Sequence, residues 1–378
     1  MEFAALAERA ERVAANDGDI ETTLAVAALL ADASAADGAD AAEVDTSTDD
    51  LPVVVRFLLG RVFPAHDTRT LDVGPARCRE AIARAAGQNV SAADVEDRLA
   101  ERGEIGAVAA DYDFGGQRGL AAFGSGRDAL TVAALDEELR ALAAESGDGS
   151  ESRKRDALFG LFTRCSPSEA AFLARLVLGE MRLGVGEGTV RDAIAEAFLG
   201  PVEEPESADT DATDDPRLAA PEDAVAAVER ALQVTNDYGR VAVRARDEGV
   251  AGLREESLRV GRPVQAMLAQ AGTATDAVES FGEVAVETKF DGARVQVHYD
   301  PGGDGGAGGV DVADGGDEEL GPRLYSRNMD DVTEALPEIV EFVAERVDVP
   351  VILDGEVVAV DDDGDPLPFQ EVLRRFRR

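Results

Sequence analysis

Glu287–Thr288–Lys289–Phe290–Asp291–Gly292–Ala293–Arg294–Val295–Gln296 is the stretch from which the rest of the chain is best read. β-prone residues lie on both sides of Asp291–Gly292. The pattern predicts two strands, Val284–Thr288 and Arg294–Tyr299, joined by a tight turn. Alternation places Glu287 and Lys289 on one face of the first strand. Arg294, Gln296 and His298 share a face of the second, and Val295, Val297 and Tyr299 take the opposite, core-facing side. The turn would bring Lys289 close to Arg294. A neighbouring cation and partial burial both favour an uncharged amine, which is a nucleophile. An arginine beside it can grip a phosphate through two parallel hydrogen bonds. The plainer alternative is a surface hairpin carrying an incidental charged pair.

Composition sharpens that choice. Of 37 basic residues in 378, only Lys154 and Lys289 are lysine, leaving 37 − 2 = 35 arginines. In a chain that otherwise uses arginine, a lysine in this setting points to chemistry that needs a primary amine. The 77 acidic residues set the formal net charge at −40. Phosphates repel carboxylates, so such a charge ordinarily argues against a nucleic-acid partner. At molar salt, however, the Debye length falls to about 3 Å, and the acids are spread along the whole chain. Replacing lysine by arginine, aspartate and glutamate also removes long apolar stems from a surface exposed to strong salting-out. The expectation is a protein adapted to a saline cytoplasm, where net charge says little about the ligand. No apolar run approaches the roughly 18 residues of a membrane span, and the N-terminus lacks a secretory pattern. Cys78 and Cys165 have no Cys or His at metal-binding spacing, as expected of buried, reduced thiols in a cytoplasmic protein.

The first half reads as helical, with apolar residues at helical spacing over 2–15 and 20–33. Ser91 with Asp94 predicts a capped helix through Leu99. Ser166–Pro167–Ser168–Glu169 carries a full start signal, and Phe172, Leu173, Leu176, Val177 and Met181 form a stripe that should stop near Gly184 and Gly186. Residues 34–50 and the acidic 201–223 read as loops, and helix resumes at 224–235. From about 260 the texture turns to β, with a further strand at Pro350–Val360. The glycine-rich 301–319 read as an enlarged loop, without a phosphate-loop pattern.

The lysine segment resembles the nucleotidyl-lysine motif of ATP-dependent DNA ligases, and more of the chain agrees. Ser326–Arg327–Asn328 resembles the next family motif, whose arginine contacts the nucleotide. Ile352–Leu353–Asp354–Gly355–Glu356–Val357–Val358–Ala359 resembles the third, whose glutamate holds the ribose. Pro368–Phe369–Gln370–Glu371–Val372–Leu373 resembles the stretch that follows in archaeal and eukaryotic replicative-type ligases. Gly261–Arg262–Pro263–Val264–Gln265–Ala266–Met267–Leu268–Ala269 resembles the opening of their adenylation domain. Phe159–Cys165 and Leu178–Gly188 resemble their helical DNA-binding domain.

The resemblance implies an all-α DNA-binding domain over 1–255, including the acidic loop 201–223. A partial α+β nucleotidyltransferase (adenylation) domain would follow over 256–378, its remainder and an oligonucleotide-binding barrel being absent. It implies Lys289 as catalytic nucleophile and Glu287, Lys289, Arg294, Arg327 and Glu356 as nucleotide contacts. The cofactors would be ATP and Mg²⁺, with the family's metal-binding glutamate expected beyond Arg378. The partner would be nicked double-stranded DNA, with a sliding clamp as a candidate further partner and no membrane; the protein would be a cytoplasmic monomer. An RNA ligase or capping-type nucleotidyltransferase and a non-catalytic DNA-binding module are the alternatives. Candidate DNA contacts are Arg153, Lys154, Arg155, Arg182, the Gly184–Gly188 turn, and Arg374, Arg375, Arg377 and Arg378. The 378-residue chain alone is expected to adenylate poorly and not to seal DNA. The saline reading makes a first prediction: helical circular dichroism should be weak in dilute buffer and grow as KCl approaches about 1–3 M, where screening is strongest; a chain fully folded without salt would sink it.

Overall fold

The computed structural model describes residues 1–35, 49–67, 69–114, 129–200, 217–266, 269, 271–302 and 321–376. Residues 36–48, 201–216 and 303–320, which hold most of the three expected loops, lie outside that set, as do Met267, Leu268, Arg377 and Arg378. The chain forms two compact units. One comprises Met1–Leu232 and Asp237–Glu256; the other comprises Gln233–Asn236 and Ser257–Arg378. Among the described residues no helix is long and apolar enough to cross a membrane.

The first unit is helical. Its elements are α1 (Phe3–Ala14), α2 (Asp19–Ala35), α3 (Leu51–Leu58), α4 (Pro75–Ala86), α5 (Ala92–Arg102), α6 (Ile105–Ala110), α7 (Val132–Ala144), α8 (Ser150–Phe162), α9 (Pro167–Leu178), α10 (Glu187–Leu199), α11 (Glu222–Thr235) and α12 (Tyr238–Glu255). The predicted start signals form as read. Ser91 N–H donates to Asp94 at 2.8 Å, while Ser91 Oγ accepts from the Asp94 amide. Ser166 N–H likewise donates to Glu169 at 2.7 Å, with Pro167 in the first turn. The helix from Pro167 ends sooner than expected. Gly179 takes φ +68 and stops α9 at Leu178, because a left-handed residue breaks the ladder at little cost only as glycine. Around α9 the core closes. Phe172 meets Phe3 edge-to-face at 5.6 Å and Phe57 at 6.5 Å. Arg175 donates to Glu104 at 3.1 and 3.0 Å and to Glu11 at 2.5 Å, joining α9 to the start of α6 and to α1. Both cysteines are buried and free, and burial pushes the Cys78 thiol up to about 12.

Several expected DNA contacts have partners of their own within the fold. Lys154 is only 3% exposed. Its ammonium donates to the Leu71 carbonyl at 3.1 Å and to Asp72 at 3.2 Å. Arg153 donates to Glu145 and to the carbonyls of Asp148 and Ser146, and Arg155 donates to Ser152 Oγ. Three consecutive basic residues on a helix point in different directions, so the run is not one patch. Arg374 and Arg375 are likewise paired, with Glu371 and Glu338.

The second unit holds α13 (Ala274–Phe281), β1 (Ala293–Tyr299), β2 (Arg323–Ser326), α14 (Pro337–Arg346), β3 (Val351–Val357) and α15 (Phe369–Phe376). The three strands form one antiparallel sheet in the order β2–β1–β3. This corrects the expected hairpin. Since β1 is hydrogen-bonded on both edges, no edge is left for Val284–Thr288 to fold back upon. Residues 283–290 are exposed and outside any strand. Gly292 therefore serves close packing, not a turn: a Cβ there would lie 2.4 Å from the Val357 carbonyl oxygen. Val295, Leu324 and Leu336 form the small core on one sheet face, with Val297, Ile339, Val340, Val357 and Phe376 packed against it. Two substitutions test the helical core in molar KCl. By chemical denaturation, Phe172→Ala should destabilise the first unit by about 3–5 kcal/mol and Ser166→Ala by about 1 kcal/mol.

Candidate active site

The face of the sheet away from that core is polar. Cross-strand register puts Arg294 opposite Glu356, and Gln296 opposite both Asp354 and Tyr325. Arg327 lies one residue beyond the registered pair Val295–Ser326. It follows β2 in a turn held by Ser326, whose amide donates to the Asp330 carbonyl at 2.8 Å and whose hydroxyl accepts from the Asn328 amide at 3.2 Å. Register thus sets Arg294 beside Glu356 at the end of β1 that Lys289 leads into, and the chain leaves β2 for the Arg327 turn one residue past the Val295–Ser326 pair at that same end. Directly opposed residues share a face.

Arg294 finds its partner across the sheet. Its guanidinium reaches diagonally to Asp354, donating from Nε at 3.0 Å and from Nη2 at 2.5 Å. That hydrogen-bonded pair, with the Asp354 and Glu356 charges beside it, pushes the Arg294 pKa up. Glu356 is exposed on β3, an edge strand among the described residues, and its Oε1 accepts from the Gly292 amide at 3.2 Å. Glu287 and Lys289 stand exposed in the extended segment and make no hydrogen bond or ion pair among the described residues. With Lys154 buried, Lys289 is the chain's one exposed lysine. Thus the structure gathers Gly292, Arg294, Asp354, Glu356 and the Arg327 turn at one sheet end, and leaves Glu287 and Lys289 exposed in the segment that leads into β1. No group of three or more His, Cys, Asp or Glu able to hold a metal ion occurs among the described residues.

The other end of this face is covered by contacts that no local pattern in the sequence signals. Gln296 and His298 are buried despite lying on the polar side, His298 being 1% exposed. Gln296 Oε1 accepts from the Val264 amide at 2.9 Å, and its Nε2 donates to the Val264 carbonyl at 2.6 Å. His298 Nδ1 accepts from the Gly261 amide at 3.0 Å. The Tyr325 hydroxyl donates to the Gly261 carbonyl at 2.9 Å. Polar residues in strict alternation look solvated, and only the covering segment reveals otherwise. An Nδ1 that accepts from a backbone amide belongs to a neutral ring. Burial accordingly lowers the His298 pKa to about 4.

The sign follows from linkage. An unfolded histidine titrates near 6.5, so the unfolded state binds the extra proton first. The stabilisation is complete above about pH 6.5, declines as pH falls, and is gone below about 4, amounting to roughly 3 kcal/mol. Hydrogen exchange of β1 amides measured at pH 7 and 4.5 should show that loss in the wild-type chain. In His298→Gln the loss specific to this group should vanish.

Comparison with known proteins bears on the whole chain. The profile described as DNA ligase N terminus matches residues 2–195, and that described as ATP dependent DNA ligase domain matches residues 317–378. Arg327 and Glu356 fall within the second match, while Glu287, Lys289 and Arg294 lie between the two. The DNA ligase of Halorubrum lacusprofundi is 75% identical over 379 residues, covering 100% of this chain and 62% of the relative. That of Haloferax volcanii is 62% identical over 383 residues, covering 100% and 60%. That of Archaeoglobus fulgidus is 39% identical over 379 residues, covering 100% and 58%. The chain thus spans 58–62% of the length of these curated relatives.

Proposed function

The chain belongs to the ATP-dependent DNA ligase family, and from that premise we propose that the whole protein seals nicks in duplex DNA through a lysyl-AMP intermediate on Lys289. One observation carries the assignment of the nucleophile. The only exposed lysine of a lysine-poor chain stands in the segment that enters β1, three residues before Gly292, at the strand end where register sets Arg294 beside Glu356. The match over residues 2–195 to a DNA ligase N-terminal region favours this over an RNA ligase or capping-type enzyme. We assign residues 1–255 to DNA binding and 256–378 to the first part of the adenylation domain.

Lys289 Nζ attacks the α-phosphorus of ATP. A phosphorus–nitrogen bond forms, the bond to pyrophosphate breaks, and the amine proton passes to solvent. AMP then moves to the 5′-phosphate of a nick, which frees the lysine and turns a poor leaving group into a good one. The neighbouring 3′-hydroxyl displaces AMP and closes the backbone. Arg294 and Arg327 offset charge on the nonbridging oxygens. To do so Arg294 swings from Asp354 or shares its five donors between carboxylate and phosphate. Glu356 accepts from ribose hydroxyls, and Glu287 lies against the base. Mg²⁺, when bound, would neutralise phosphate charge.

Nicked duplex DNA is the substrate. With Lys154 withdrawn into the fold, exposed Arg182, 3.9 Å from Glu180, and the Gly184–Gly188 turn before α10 are DNA contacts proposed among the described residues. At molar salt little affinity comes from counterion release, so recognition rests on shape and direct contacts. The protein works as a cytoplasmic monomer, with a sliding clamp as a candidate partner. The test uses the full-length protein in molar KCl with labelled ATP and nicked duplex. Lys289→Ala should lose retained label and sealing by about 10³-fold or more while binding nicked DNA within about twofold; label that persists on the variant would reject Lys289 as the nucleophile.

A further inference from the structure

Two backbone residues of an irregular segment are each held at both of their peptide groups by side chains of the sheet. Val264 has its N–H and its carbonyl answered by the single amide of Gln296, at 2.9 and 2.6 Å. Gly261 has its N–H answered by His298 Nδ1 at 3.0 Å and its carbonyl by the Tyr325 hydroxyl at 2.9 Å. His298 Nε2 lies 3.4 Å from Gln296 Oε1, and the His298 ring meets Tyr325 edge-on at 5.1 Å. The three side chains therefore form one connected cluster, and Pro263 is buried between the two anchor points.

A cover needed only for burial could be built from apolar side chains, as on the opposite face with Val295, Leu324 and Leu336. Here the sheet uses polar side chains that specify the position and direction of a backbone. That position matters because of its surroundings. Gln296 is two residues from Arg294 on the same face of β1, a rise of about 7 Å. Asp354, the register partner of Gln296, is also the residue that Arg294 holds.

We propose that Gln296, His298 and Tyr325 are positioning residues for adenylation, lashing Gly261–Val264 across the polar sheet face as a fixed wall of the nucleotide site. The inference rests on the nucleotide site assigned above. The wall confines the nucleoside end of ATP beside Arg294 and Glu356 and keeps water from that side. It touches no reacting atom, so loosening it weakens capture of ATP more than the transfer itself.

The test takes the full-length protein in molar KCl and compares wild type with Tyr325→Phe, Gln296→Ala and His298→Gln in a single-step lysyl-AMP assay. Loss of one such hydrogen bond should raise the KM for ATP about three- to tenfold, with kcat within about twofold. The Gly261 and Val264 amides should exchange faster by a similar factor. Faster exchange with an unchanged KM would overturn the proposal, since the strap would then serve the fold alone; so would a fall in kcat at constant KM. Tyr325→Phe removes one oxygen and keeps the ring, so it decides the matter if the other two variants unfold. Lys289→Arg is run in parallel. Adenylation surviving in that variant would fail the active-site reading itself, while slow exchange at Gly261 and Val264 would still report an intact strap.

Discussion

Both edges of β1 carry hydrogen bonds, to β2 on one side and to β3 on the other, and much of the second unit follows from this. A strand has two edges and no more. Once both are used, the residues before it cannot return as a hairpin partner, and Glu287 and Lys289 are left exposed outside any strand. The same pairing brings Gly292 so close to Val357 that no side chain fits. It also lines up Arg294 with Glu356 and carries the turn at Arg327 to the same level. Side chains from separate parts of the chain meet because the pairing of one strand is saturated.

The two faces of that sheet solve burial differently. One uses the hydrophobic effect, with Val295, Leu324 and Leu336 against helical residues. The other uses hydrogen bonds whose geometry is specific, from Gln296, His298 and Tyr325 to Gly261 and Val264. Apolar packing tolerates small displacements, whereas a doubly held peptide group does not. This accounts for a neutral histidine in a chain otherwise dominated by charge.

Charge in the first unit is handled mainly within the fold. Arg175 bridges Glu11 and Glu104, Lys154 is withdrawn to Leu71 and Asp72, and Arg56 reaches Asp136 at 3.3 Å and the Val62 carbonyl at 2.9 Å. An acidic chain with few lysines keeps its cations close to its own acids. The relatives from Halorubrum and Haloferax fit the saline adaptation expected of this composition.

The amino-acid order by itself determined what depends on neighbours along the chain. The helical first half, the capping boxes at Ser91 and Ser166, the alternation within β1 and the family-like segments around Lys289, Arg327 and Glu356 were all legible, because helix caps and period-two faces are local. Tertiary structure alone decided which edges of β1 were taken, and so removed the expected hairpin and gave Arg294 a partner in Asp354. It also decided that Lys154 is buried while its neighbours in sequence are not, and that Gln296 and His298 are covered. Each of these turns on a partner about 30 to more than 80 positions away, and no periodicity within a window of a dozen residues carries that information.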